Sequence, residues 1–166
     1  SYAAAIALVL KQNAEDVRIA WGPEGLTAAE FTAPAQGNML YRDTGEVVAE
    51  SLKAMTTALQ FLSDAMIAPF LGREPESANP KLAPLWRSGL TLRLISAQLG
   101  AITEFYRTLE VSEALDPSTR WIDGAIELEL RKAQETLDTL AEPVGEASVR
   151  APERAALIYV VIALKS

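Results

Sequence analysis

The chain contains no histidine and no cysteine. The first absence removes the commonest general base and the commonest metal ligand, and with them any Ser-His or Cys-His mechanism within this chain. It also argues against a ferritin-like di-iron site, which needs Glu-x-x-His pairs on facing helices. The second absence excludes disulfides and thiolate chemistry and leaves the compartment open. A cluster of Lys and Arg is missing as well. The formal charge is −7, which disfavours phosphate-neutralising contact with nucleic acid and a peripheral helix on anionic lipid. Long apolar runs are absent too. Ala155–Leu164 covers ten residues, whereas a membrane span needs about 20. Ser1–Leu10 lacks a basic leader and a cleavage-site pattern and runs straight into Lys11-Gln12-Asn13, so it reads as a helix and not as a signal peptide. Gly22-Pro23-Glu24-Gly25 lacks the strand, Lys and Ser/Thr context of a phosphate-cradling loop. No EF-hand spacing, alternating strand or fixed-period repeat occurs.

What is present is helical periodicity in a chain of 166 residues, 49% of them hydrophobic. That length suits one domain with a core of its own. The clearest stripe is Leu92, Ile95, Leu99, Ile102, Tyr106 and Leu109, spaced by three and four residues on a helix expected over Leu85–Leu109. Ser88 extends it backwards, and Gly89 allows close approach to a neighbour or marks a bend. A first helix is expected over Tyr2–Ala20, with Tyr2, Ile6, Val9, Asn13, Val17 and Ala20 on one face. Residues 22–43 show no period and read as a long irregular loop. It is either a covering loop pinned by Leu26, Phe31, Met39, Leu40 and Tyr41 or a ligand lid. A second helix runs from Thr44 and should stop by Ala68, because Pro69 pushes its predecessor out of helical geometry. Met55 and Met66 in its stripe read as core fillers. Asp116-Pro117 predicts the start of a fourth helix to Leu140, and Pro152 that of a fifth to Lys165, apolar almost all round and therefore central. The fold expected is all-α: an up-down bundle of about five helices, one domain over residues 1–166.

Two sets of residues could carry function. Arg87, Thr91 and Gln98 fall together on one flank of the third helix, either as a solvated edge or as a polar patch facing a ligand or a second domain. The carboxylates Asp123, Glu127 and Glu129 are the candidate acid–base groups of the fourth helix. They either solvate helix faces or, if two of them met across a pocket with raised pKa, would support carboxylate catalysis. Glu127 and Arg131, four apart, are spaced for a surface pair. No metal-ligating set is visible.

Several short motifs, taken in order, resemble the second half of the imelysin-like proteins. They are Trp21-Gly22-Pro23-x-Gly25, Tyr41, Ala68-Pro69-Phe70-Leu71-Gly72 and Trp86-Arg87-Ser88-Gly89 with the helix after it, followed by the apolar last helix. The resemblance runs from about residue 10 to 164. It implies an all-helical envelope protein of a bacterium, periplasmic or lipoprotein-anchored, with two packed bundle halves and an association with iron or haem uptake. The family is named for an insulin-cleaving peptidase, and its Gly-x-His-x-x-Glu signature cannot occur in a chain without histidine. The resemblance therefore implies a non-catalytic second half whose cofactor, a metal ion such as iron or zinc, is bound mainly by the other half. Its expected partners are that N-terminal half or an equivalent helical domain, and other iron-uptake envelope proteins, with Trp86, Arg87, Ser88 and Gln98 as ligand or domain-junction candidates. A carboxylate-dependent or metallopeptidase-like enzyme and a plain helical interaction module are the alternatives.

Overall fold

The computed structural model describes residues 2–141 and 143–165. Among them there are helices and turns and no strand, an all-α architecture. The chain divides into two compact units, Ser1–Ser51 and Leu52–Ser166.

In the first unit, α1 (Tyr2–Ala20) has the expected bounds, but none of its residues is buried. Its apolar stripe, Tyr2, Ile6, Val9 and Val17, lies in solvent, as does Asn13 on the same face. The stretch after it is not wholly irregular: α2 (Leu26–Thr32) forms inside it. This helix is legible only through its contacts. Phe31 stands edge-on to Trp21 at 5.3 Å and to Tyr41 at 5.6 Å. The buried carboxylate of Glu30 accepts hydrogen bonds from the backbone amides of Met39 (3.1 Å) and Leu40 (2.6 Å). The carboxylate thus supplies the acceptors that the turn at 39–40 lacks. Leu26, Met39 and Leu40 are exposed and pin nothing.

In the second unit the core is built from the end of the second long helix and three others. α3 (Thr44–Gln60) passes into a π-helical turn over Phe61–Ile67 and then α4 (Ala68–Leu71). The helix does not stop at Ala68. Proline lacks an N–H and its ring crowds the carbonyl four residues back; the wider π turn relieves both constraints, so that Pro69 sits at the start of a fresh helical turn. The continuous stretch Thr44–Leu71 is 28 residues, long and apolar enough by composition to cross a bilayer. Its Leu62, Met66, Ile67 and Phe70 are instead buried in the protein's own core.

The third element begins later than its periodicity suggests. A single 3-10 turn covers Trp86–Ser88, and α5 (Thr91–Thr108) starts after it. Leu85 (φ 56°) and Gly89 (φ 61°) are both left-handed and bracket the turn. Gly89 is therefore the bend, and Arg87 and Ser88 are not on the α5 surface. Thr91 is fully buried, its hydroxyl donating to the Pro84 carbonyl at 2.6 Å, so the flank of Arg87, Thr91 and Gln98 does not exist. The remaining stripe of α5 holds, with Leu92, Ile95, Leu99 and Tyr106 buried. A short α6 (Val111–Ala114) follows.

Asp116 caps with its backbone: its carbonyl accepts from Thr119, and α7 (Trp121–Asp138) begins after that turn. Leu130, Ala133 and Leu137 point inward. After α8 (Val144–Ala147), α9 (Ala151–Ala163) packs on α7, α4 and the π turn, while α7 also packs on α5. Leu157 and Val160 are central, but Ile158 and Ile162 face solvent, so α9 is covered on one side only. The guanidinium of buried Arg154 donates to the carbonyls of Leu71, Gly72 and Ser148. Those carbonyls close helix ends, where the aligned peptide dipoles favour a cation. Gly72 (φ 66°) makes the corner possible: a Cβ there would come within 2.5 Å of the Ser77 hydroxyl oxygen.

Candidate functional site

Chemically active side chains converge where α5 ends. Glu110, left-handed at φ 47°, turns the chain back so that α6 lies beside the end of α5 and the start of α7. A left-handed non-glycine residue stores strain, a feature that gathers at functional sites. The resulting cleft of about 190 Å³ is lined by Tyr106, Arg107, Glu110, Glu113, Asp123 and Glu127, among others.

Tyr106 is its anchor. The ring is a stripe residue of α5 and is only 2% exposed, while its hydroxyl donates to Asp123 Oδ1 at 2.7 Å. Burial, and then the Asp123 carboxylate that accepts this bond, push the phenol well above its ordinary range. Tyr106 is thus a fixed neutral donor. Asp123 and Glu127 are one turn apart on α7 and both reach the cleft. Glu127 faces Arg107 at 3.6 Å, and both side chains are half exposed. Arg131 pairs with Glu135 at 3.0 Å and not with Glu127.

Glu129 goes the other way. It accepts a 3.3 Å hydrogen bond from Tyr159 of α9, whose phenol is raised by burial and then by the Glu129 charge. The structure therefore brings Asp123 and Glu127 together and separates Glu129 from them. No two of the three face each other across a pocket. Each has a donor: Tyr106, Arg107 or Tyr159.

The other candidates lie elsewhere. Arg87 stacks on the Trp86 indole, its guanidinium carbon 4.8 Å from the ring centre, and both are solvent-facing. The Ser88 hydroxyl donates to the Leu85 carbonyl at 2.9 Å. Gln98 is mid-way along α5, half-buried, with a buried Oε1 that has no partner.

Among the described residues no three Asp or Glu side chains converge as a metal-binding group. The chain has no His or Cys to add to them. Tyr106, Arg107 and Glu110 were not evident as site residues from spacing. The one signal was chemical: a tyrosine in a core stripe carries a hydroxyl that needs an acceptor, and Asp123 borders the facing stripe.

Compared with known proteins, residues 1–165 match the family model described as Imelysin. No curated protein and no solved structure matches the chain.

Proposed function

The chain belongs to the imelysin family, and on that premise we propose that it is a non-catalytic helical part that binds a ligand or a partner domain in bacterial iron or haem uptake. It would act in the periplasm or at the outer envelope, held there by lipoprotein anchoring outside the segment described. The partner would be the family's N-terminal half or an equivalent helical domain. That partner, which can carry Gly-x-His-x-x-Glu, would supply most of the ligands to a metal ion.

The observation that carries the non-catalytic reading is the pairing of the three carboxylates. A general acid–base pair needs two groups poised across a substrate with separated proton affinities. Here Asp123 holds the Tyr106 hydroxyl, Glu127 the Arg107 guanidinium and Glu129 the Tyr159 hydroxyl. A cleft whose carboxylates are already held and which presents a half-exposed guanidinium is suited to hold a polar group, not to cleave a bond. The plain interaction-module reading also has one observation in its favour, the exposed apolar stripe of α1.

The test pairs a cleavage assay with a binding assay on the full chain. Insulin B chain incubated with it, with and without zinc, should stay intact. Cleavage that disappears in an Asp123→Asn/Glu127→Gln/Glu129→Gln variant establishes the enzyme alternative instead. Mixed with a Gly-x-His-x-x-Glu-bearing imelysin half, the chain should form a complex by analytical ultracentrifugation, and that complex should bind ferric iron or haemin. Absence of both complex and binding refutes the proposal.

A further inference from the structure

The connection between α2 and α3 contains a buried acid that the α5–α7 cleft does not use. Glu30 is 7% exposed, and its two oxygens accept the successive backbone amides of Met39 and Leu40. The loop it reaches has a closed base, where the Ala35 amide donates to the Tyr41 carbonyl at 3.2 Å. Its tip is residues 36–40. Within the loop, Asn38 donates from its backbone to Ala35 and from its side chain to Ala33. The far end is fixed to α3: the Arg42 amide donates to Glu46 and the Glu46 amide to Asp43. Among the described residues, the hydrogen bonds that tie the tip to α2 are those of Glu30. Leu40 of the tip also walls an open cleft of about 430 Å³, with Tyr41, Arg42, Glu46, Ala49 and Glu50.

We propose that residues 36–40 are a proton-released lid: the ionised Glu30 carboxylate holds it shut, and protonation of that carboxylate frees it and takes Leu40 out of the cleft wall. An ionised carboxylate is an acceptor at both oxygens. A proton taken from solvent turns one oxygen into an O–H donor that faces a backbone N–H. Two charge-assisted bonds are then replaced by one neutral bond and one opposed pair of donors. The neighbouring charges do not take over the hold. On α1, Arg18 is bound to Glu15 at 2.7 Å and Asp16 accepts from Gln12. In the loop, Arg42 lies 3.6 Å from Glu46 and Asp43 accepts the Glu46 amide. Glu24, in the turn before α2, is exposed, and α3 offers only the carboxylates Glu46 and Glu50 to the cleft.

Packing distinguishes a lid from a fixed turn. The tip buries no apolar side chain of its own: Met39 is 86% and Leu40 51% exposed. Letting it go therefore uncovers no core, and segments of that kind open at low cost. What holds the tip to α2 is concentrated in one titratable side chain, so a single proton can decide its position. The sign follows from the acceptor: the hold is present while Glu30 is ionised and is lost as pH falls through the carboxylate range. This lid does not depend on the family reading and would operate whatever the α5–α7 cleft binds.

The experiment is amide hydrogen exchange of the full chain, followed by nuclear magnetic resonance and corrected for the intrinsic rate at each pH. At pH 7 the Met39 and Leu40 amides should be protected. Their protection should fall about tenfold or more as the carboxylate range near pH 4 is crossed, at a higher pH than any loss in the buried α5 stripe. Glu30→Gln puts a side-chain N–H₂ where one acceptor stood, so both amides should already exchange fast at pH 7, with α5 protected as in the parent. Glu46→Gln alters the other carboxylate that accepts a loop amide and should leave the pH dependence of Met39 and Leu40 as it is. The proposal is overturned by any of three results: parental protection at pH 7 in the Glu30 variant, a fall in the parent that coincides with the loss of α5 protection, or a pH dependence that disappears with Glu46 instead of Glu30.

Discussion

α7 makes the same kind of bond on both of its flanks, and the two copies are not equivalent. Towards α5, Asp123 accepts from Tyr106 at 2.7 Å, with the tyrosine ring sealed in the core. Towards α9, Glu129 accepts from Tyr159 at 3.3 Å, with the ring only half-buried. Both phenols are raised by burial and then by their carboxylate, but the Tyr106 side is also where the chain folds back through left-handed Glu110 to build a cleft. The sequence pattern is alike on the two flanks. The difference lies in packing: one tyrosine is a core residue that also carries a polar head, and the other is a rim residue. A hydrogen bond anchored by a ring sealed in the core is costlier to break than one on the rim whose partners rehydrate.

The widest separation between the flanks should come from truncation. Tyr106→Ala removes a buried ring and should destabilise the helical core by about 3–5 kcal/mol. Tyr159→Ala removes a partly exposed one and should cost about 1 kcal/mol. Urea unfolding followed by circular dichroism measures both. Equal losses would mean that the two flanks are packed alike.

Removing the hydroxyl alone is a finer probe. Tyr106→Phe leaves the ring in place and takes the donor from Asp123, at a cost of about 1 kcal/mol. Tyr159→Phe should change stability by less than about 0.5 kcal/mol, since its longer bond to Glu129 is readily replaced by water. The Tyr106→Phe effect should vanish in an Asp123→Asn background if the pair is the whole of it. A full loss that persists there would place the hydroxyl's value elsewhere.

What was legible in the sequence follows the same division. The stripe of α5, the bounds of α1 and the Pro152 start of α9 rest on local periodicity and punctuation, and they stand. Pro69 was legible as a breaker, yet a π turn absorbed it, because the buried faces of Leu62, Ile67 and Phe70 gain more from continuing than the ladder loses. Arg87 and Ser88 continued a helical spacing on paper. The left-handed Leu85 and Gly89 ended that register, and a left-handed leucine has no local signature. Asp123, Glu127 and Glu129 were legible as acids along one helix, but only the tertiary pairing shows which two share a cleft. α1 is the opposite case: its stripe was legible and its burial was not, because a stripe states what a helix can cover and not whether anything covers it.

The smallest difference near neutrality, and the one most specific to the proton, is in pH. The Tyr106 phenol is raised in the folded chain above its ordinary value of 10.0. The folded state therefore keeps this proton at pH values where the unfolded chain has released it. Above the unfolded value the unfolded state binds fewer protons, so stability falls as pH rises. The contribution is fully present below about pH 10 and is lost as pH climbs towards the folded value. At pH 7 the parent chain and Tyr106→Phe should thus have the same slope of stability against pH. Above pH 10 the parent should lose stability more steeply than Tyr106→Phe, and the Tyr159→Phe chain should follow the parent closely, because only the sealed flank holds its proton so strongly. Ultraviolet titration of the phenolates checks the assignment: the last tyrosine to ionise before alkaline unfolding should be missing in Tyr106→Phe. Parallel slopes for the parent and Tyr106→Phe above pH 10 would show that the sealed flank exerts no hold on the proton, and the contrast between the two sides of α7 would then be one of packing alone.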